Sequence, residues 1–244
     1  MEQFIRKISA TIALVILFLL SASIYLQLKG FERDEKDFLV LRKAYAADEQ
    51  SAKKEIPANF AFPQDHVLGK SDAKVTVYEY SSFACTHCAD MHLEVMPEII
   101  KKYVSAGLVK MVFVPLPLDK NSMDAALLAE CVKKDKYFDF ANVLFKHQRD
   151  WAISFTPLKV LRQYAKLSGV SDAQADACLK NDKTAARILG DRKAGLSELG
   201  IQGTPSLVVS SNGHNEMLSG AQSYEDLAAV IDRHLGKIYN SSVE

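Results

Sequence analysis

The chain has 244 residues, 48% hydrophobic and 25% charged, with 30 basic side chains balanced by 30 acidic ones. That apolar content supports a sizeable core and excludes wholesale disorder. Zero net charge excludes a general nucleic-acid binder, which needs a basic surface to neutralise phosphates, and no period of about 20–50 residues recurs, which excludes a solenoid.

The N-terminus carries the first signal. Arg6 and Lys7 precede an uncharged stretch from Ile8 to Leu28. At roughly 1.5 Å per residue it reaches about 30 Å, enough to cross a bilayer as a helix with its N-terminus in the cytoplasm. Two readings of residues 1–28 stay open. One is a retained signal anchor. The other is a cleaved signal peptide, for which Ser21-Ala22-Ser23 offers a passable cleavage site and Ala44-Tyr45-Ala46 a better-formed but more distant one. Either exports the rest of the chain to a compartment where disulfides persist.

Residues 29–59 read as a charged stalk. Phe31, Phe38 and Tyr45 recur every seven residues, a weak heptad that leaves self-association through 29–57 open beside a plain solvated spacer.

From about Phe60 the character changes. Val75–Tyr80 is rich in β-branched and aromatic residues and predicts a buried strand. A short loop with two cysteines follows. Next comes a helix from about Thr86 to Ser105, with Pro97 expected to kink it and Gly107 to end it. Val109–Val114 is the next strand, completing a βαβ unit with parallel strands and a right-handed crossover. Residues 122–199 contain no good strand and predict helices at Met123–Lys133, Tyr137–Gln148, Thr156–Ser168, Ser171–Lys180 and Thr184–Leu199. After a sharp break at Gly203–Ser206, a strand at Leu207–Ser210 turns at Asn212-Gly213 into a second strand near 215–219. A final amphipathic helix carries Leu227, Val230, Ile231 and Leu235. Strands on both sides of the helical block predict one α/β domain, formed from 60–121 and 200–244, with 122–199 inserted.

Cys85-Thr86-His87-Cys88 lies where a strand ends and a helix begins. First-turn N–H groups lack partners and the helix dipole adds partial positive charge, so a Cys85 thiolate is stabilised there and its pKa falls. Cys88, one turn on, faces the same way and can attack a mixed disulfide. A protonated His87 would add a further stabilising charge. Lowering the thiol pKa favours the reduced pair and makes the disulfide more oxidising. Competing readings are half of a zinc site, for which no second CxxC exists, and a structural disulfide, which would close too short a loop to stabilise much.

These features, with Glu79 six residues before Cys85 and Gly203-Thr204-Pro205 ahead of a strand, resemble the DsbA-like thiol:disulfide oxidoreductases of the thioredoxin superfamily. The resemblance covers about Phe60 to Gly236. It implies a thioredoxin-like fold with an inserted helical domain, catalytic Cys85 and Cys88, a cis bond before Pro205, and Thr204 offering backbone hydrogen bonds to substrate. It also implies that Glu79 is a buried acid exchanging protons with Cys88; alternation alone leaves a solvent-facing glutamate open. Thr86 departs from the proline common in that family, which bears on how oxidising the pair is.

Of the three pairings that four cysteines allow, Cys85–Cys88 with a structural Cys131–Cys178 disulfide is the most economical, and some family members similarly carry a second disulfide in this region. Phe138, Phe140, Phe145 and Trp151 read as core, and His92 as a helix-surface residue. No metal or cofactor is expected. The expected activity is an exported oxidase, donating its disulfide to reduced, folding proteins in a bacterial periplasm and reoxidised by a quinone-linked membrane partner. An isomerase or reductase using the same residues, and a non-catalytic binding module, are the alternatives.

Overall fold

In this computed structural model residues 56–57 and 60–241 are described. The apolar run at 8–28 and almost all of the 29–59 stalk, including its three aromatics, lie outside them. No helix among the described residues is long and apolar enough to cross a membrane.

A five-stranded sheet has the order β1-β3-β2-β4-β5, with β1 at His66–Leu68, β2 at Val75–Ser81, β3 at Val109–Pro115, β4 at Ser206–Ser211 and β5 at His214–Ser219. β2 and β3 are parallel, as a βαβ crossover requires, and the remaining pairs are antiparallel. β2 lies at the centre and all seven of its residues are buried, which explains its nearly continuous run of large side chains. β1 was not foreseen. Three residues are too few to show alternation, and pairing with β3 defines the strand.

Side-chain alternation divides the sheet into two faces. Val75, Val77, Leu207 and Val209 meet Met91, Met96, Ile99 and Tyr103 of helix α1 (86–104), and Leu227, Val230 and Ile231 of the C-terminal helix Tyr224–Ser241. Tyr78, Tyr80, Val112, Val114 and Val208 face the other way, toward Leu199 and Ile201. Ile56, Phe60 and Phe62 pack there too, so the domain's apolar packing begins inside the segment read as stalk.

α1 runs unbroken past Pro97, but not as a regular α-helix. Thr86–Asp90 and Met96–Ile99 are α-helical, whereas Met91–Val95 and Ile100–Val104 form wider π turns. Proline cannot donate to the carbonyl one turn earlier, and widening the preceding turn accommodates the loss without a break.

The insertion contains α2 (Lys120–Ala129), α3 (Tyr137–Lys146), α4 (Gln148–Ala152), α5 (Pro157–Leu167), α6 (Asp172–Leu179) and α7 (Asp182–Ala194), the last continued by a π turn at Gly195–Leu199. The C-terminal helix is α8. Capping moves several predicted boundaries. Asp119 accepts from the Ser122 N–H while Ser122 Oγ accepts from the Asp119 N–H, so α2 begins three residues before Met123. Asn181 similarly caps α7 ahead of the expected Thr184. The helix expected over 137–148 ends at Lys146, and α4 is a separate short element carrying Trp151. Phe140, Leu144, Phe145, Trp151 and Leu161 form the insertion's core, and the indole N–H of Trp151 donates to Leu144 O at 3.0 Å.

Two further ties hold the insertion. His66 Nε2 meets Glu130 Oε1 at 2.7 Å, and Arg187 reaches the same carboxylate and also Asp65. Burial works against the charged form of Glu130, but His66 and Arg187 prevail and hold its carboxyl below the ordinary range. Cys131, just after α2, is joined to Cys178 of α6 by a disulfide. This bond spans 47 residues, so replacing both cysteines by alanine is expected to lower stability by about 4 kcal/mol in the chain-entropy account. Denaturant unfolding in a Cys85→Ser/Cys88→Ser background measures it without interference from the other pair.

Candidate active site

The chain leaves β2 at Ser81 and turns through Ser82, Phe83 and Ala84 into α1. Cys85 N–H donates to Ser82 O at 3.1 Å, and Cys85 is the extended N-cap of α1, with φ −83° and ψ 122°. Its sulfur therefore lies over the open first turn. Cys85 is half-buried and Cys88 wholly buried, and both thiols are free.

The Cys85 thiol is held down to about 5, most strongly by hydrogen bonding from the Cys88 thiol. Desolvation opposes this, and the neighbouring Thr204 side chain and the backbone N–H groups of Cys88 and His87 reinforce it. Burial pushes the Cys88 thiol far up, and its bond to Cys85 adds to the rise. One sulfur is thus prepared to ionise and the other to stay protonated. The His87 imidazole is exposed; what this residue supplies to the sulfur is its backbone N–H.

Thr204 and Pro205, 119 residues along from Cys85, close the other side. The Thr204–Pro205 bond is cis, and the Cys85 thiol lies 3.3 Å from Thr204 O. Pro205 is buried and its carbonyl accepts from Gly220 N–H at 2.9 Å, fixing the approach to β4.

Glu79 shares the face of β2 that carries Val75 and Val77, between Phe113 of β3 and Leu207 of β4. It is 1% exposed. Desolvation pushes its carboxyl up to about 7, partly offset by the nearby Ser81 side chain. The same side chain influences the Cys88 thiol, so the wholly buried Ser81 lies near both acid and sulfur, its hydroxyl without a hydrogen-bond partner among the described residues.

Two residues depart from or escape the sequence reading. His92 is not a surface residue; it is half-buried, its ring 4.6 Å from that of Phe145 and 6.5 Å edge-on to Phe113. A count at 3.6 residues per turn misses this because His92 falls within a π turn. Burial pushes its imidazole down to about 4. The residue missed altogether is Gln148. Its buried amide donates to Phe83 O at 2.7 Å and to Cys85 O at 2.9 Å, fastening the cysteine loop to the insertion. A lone glutamine at a helix start gives no signal from which to foresee this.

Two titrations follow. Thiolate ultraviolet absorbance of the reduced chain should show one group ionising near pH 5, and Cys85→Ser should abolish that step; ionisation like that of a free thiol would contradict the geometry. For Glu79, the folded-state value lies above the ordinary 4.5, so its cost is absent in acid, grows as the unfolded chain ionises, and is complete above neutrality. Glu79→Gln should therefore leave acid stability unchanged and raise stability at alkaline pH by about 3 kcal/mol, as read by denaturant midpoints against pH.

Comparison with known proteins agrees with this architecture. A family profile described as thioredoxin matches residues 61–233. A Rickettsia conorii protein, provisionally named a protein-disulfide oxidoreductase, is 31% identical over 172 residues, 70% of this chain and 60% of that one; the chain thus spans about three fifths of that relative's length. Disulfide bond formation protein D of Bacillus subtilis is 29% identical over 175 residues, covering 69% of this chain and 76% of the relative. Among solved structures, alpha-DsbA1 of Wolbachia pipientis superposes with a TM-score of 0.69 at 28% identity, covering 76% of this chain and 98% of its own. Oxidised BdbD of Bacillus subtilis gives 0.63 at 27% identity, covering 70% and 93%. With the profile covering well over half of its residues, the chain belongs to the thioredoxin family, among its DsbA-like members.

Proposed function

We propose that the chain is a thiol:disulfide oxidase that donates the Cys85–Cys88 disulfide to reduced proteins outside the cytoplasm. The observation that carries this reading is the asymmetry of the two sulfurs: Cys85 half-buried with a depressed pKa, Cys88 buried with a raised one. An ionised Cys85 is a good leaving group, and stabilising it favours the reduced enzyme, which makes the disulfide a strong oxidant.

In the reaction, a substrate thiolate attacks Cys85 Sγ. The Cys85–Cys88 bond breaks, a bond from substrate sulfur to Cys85 forms, and Cys88 departs with the electron pair. Buried Cys88 needs a proton at that moment. A protonated Glu79 carboxyl is fitted to supply it through the Ser81 hydroxyl that adjoins both groups. A second substrate thiolate then attacks the first substrate sulfur and expels Cys85 as a thiolate. The substrate leaves oxidised, and the enzyme holds the two electrons. During the mixed-disulfide stage the substrate backbone has Thr204 beside it, next to Pro205. A quinone-linked membrane partner completing the cycle, a periplasmic location and tethering or release through residues 1–28 are further parts of the proposal, supported by the DsbA-like relatives and by the N-terminal apolar run.

The test is oxidation of a reduced, unfolded two-cysteine peptide by the oxidised full chain, together with the potential measured against glutathione. Turnover should vanish in Cys85→Ser, while reduced Cys88→Ala should accumulate a mixed disulfide with an activated substrate disulfide. Ser81→Ala should slow the first exchange step and shift its pH profile. A potential as low as thioredoxin's, about −270 mV, would overturn the oxidase direction.

A further inference from the structure

At the far end of β4 from the cysteine site, three side chains from two elements converge. His214 and Glu216 are two apart on β5 and so share one face of the strand. His234 comes from α8, which packs across that end of the sheet. One ligand atom from each of His214, Glu216 and His234 lies within 4.8 Å of the other two. We propose that these residues form a binding site for a divalent transition-metal ion of zinc type.

The geometry suits such an ion better than it suits direct pairing. His234 Nε2 and Glu216 Oε2 are 3.7 Å apart, too long for a hydrogen bond. Two atoms bound to one tetrahedral zinc at about 2.0–2.2 Å stand roughly 3.3–3.5 Å apart, so these two need only a slight approach. The imidazoles of His214 and His234 have centroids 5.2 Å apart at a 32° tilt, leaving a gap between the rings.

The surroundings supply the support that metal ligands ordinarily have. His234 is 0% exposed, and its Nδ1 lies 2.7 Å from the buried hydroxyl of Ser211 at the end of β4. With Nδ1–H donating to Ser211 Oγ, the lone pair stands on Nε2, the nitrogen that faces Glu216. Arg233 engages Glu216 Oε1 at 2.6 Å, holding the carboxylate so that Oε2 remains the atom turned to His234. His214 is exposed, which gives the ion a path in and leaves a fourth position for water. Two imidazoles and a carboxylate are donors suited to zinc, and less suited to calcium or magnesium, which take oxygen ligands.

This site is separate from the dithiol. β4 spans Ser206–Ser211, about 17 Å at the usual strand rise, with Pro205 before one end and Ser211 at the other. A metal here would fasten α8 to the β4–β5 hairpin and leave Cys85 and Cys88 untouched. The proposal does not depend on the oxidase reading.

The test uses the full chain with Cys85→Ser and Cys88→Ser, which removes the dithiol as a rival zinc ligand. Titration calorimetry with zinc chloride should show one ion per chain, and cobalt chloride should give the visible bands of a four-coordinate site. Exposed His214→Ala should weaken zinc binding by more than the ~10–100-fold that loss of a supporting contact alone can cause, with the far-ultraviolet circular dichroism unchanged. Ser211→Ala should weaken it less than His214→Ala. Absence of binding in the double-serine chain, or unaltered binding in His214→Ala, would overturn the proposal.

Discussion

The chemistry of this fold depends on one hydrogen bond between two sulfurs in unequal surroundings. Cys88 is closed off from water and its thiol stays protonated, so it has a proton to give. Cys85 stands at an open helix end, half-reached by solvent, and takes that bond as an anion. Reversing the burial would reverse the roles. The helix N-terminus matters less as a distant dipole than as two N–H groups aimed at one atom, a contribution that comes after that of the neighbouring thiol.

The rest of the domain keeps that inequality in place. β2 delivers Ser81 and Glu79 beneath the buried sulfur because it is central and covered on both faces. β4 delivers Thr204 and Pro205 because it lies antiparallel beside β2, so its beginning meets the end of β2. The insertion covers the remaining side. Phe83 and Cys88 belong to the same apolar cluster as Phe140, Phe145 and Trp151, so the wall that dries Cys88 is built largely from residues far away in sequence. Glu79, its carboxyl raised to about 7 by the same dryness, shows that one physical cause can keep both groups protonated.

Much of this was legible in the chain. A run such as Val75–Tyr80 can hardly be anything but a buried strand, and a CxxC directly after it must fall at a helix start. Local signals also gave most insertion helices, with errors where a cap outweighed the apolar pattern, as at Asp119 and Asn181. What escaped depends on long-range pairing or on irregular backbone. β1 is defined by β3 alone; His92 is carried inward by a π turn; Gln148 matters only because folding brings it to two carbonyls more than sixty residues earlier. Ser81 lies one residue beyond the run read as a strand and ends β2. Its place near Glu79 and Cys88 follows from the pleat, which no composition reveals. His214, Glu216 and His234 have no motif spacing at all, since a strand and a helix contribute them separately.

The Gln148 amide carries an implication for how such proteins diverge. One carboxamide closes both loop carbonyls at once, so the inserted helices and the cysteine loop behave as one mechanical piece. Evolution can vary the outer surface of the insertion without disturbing the sulfur chemistry. A graft of a foreign insertion onto this sheet would have to bring its own fastener, or leave the cysteine loop loose on its hinges.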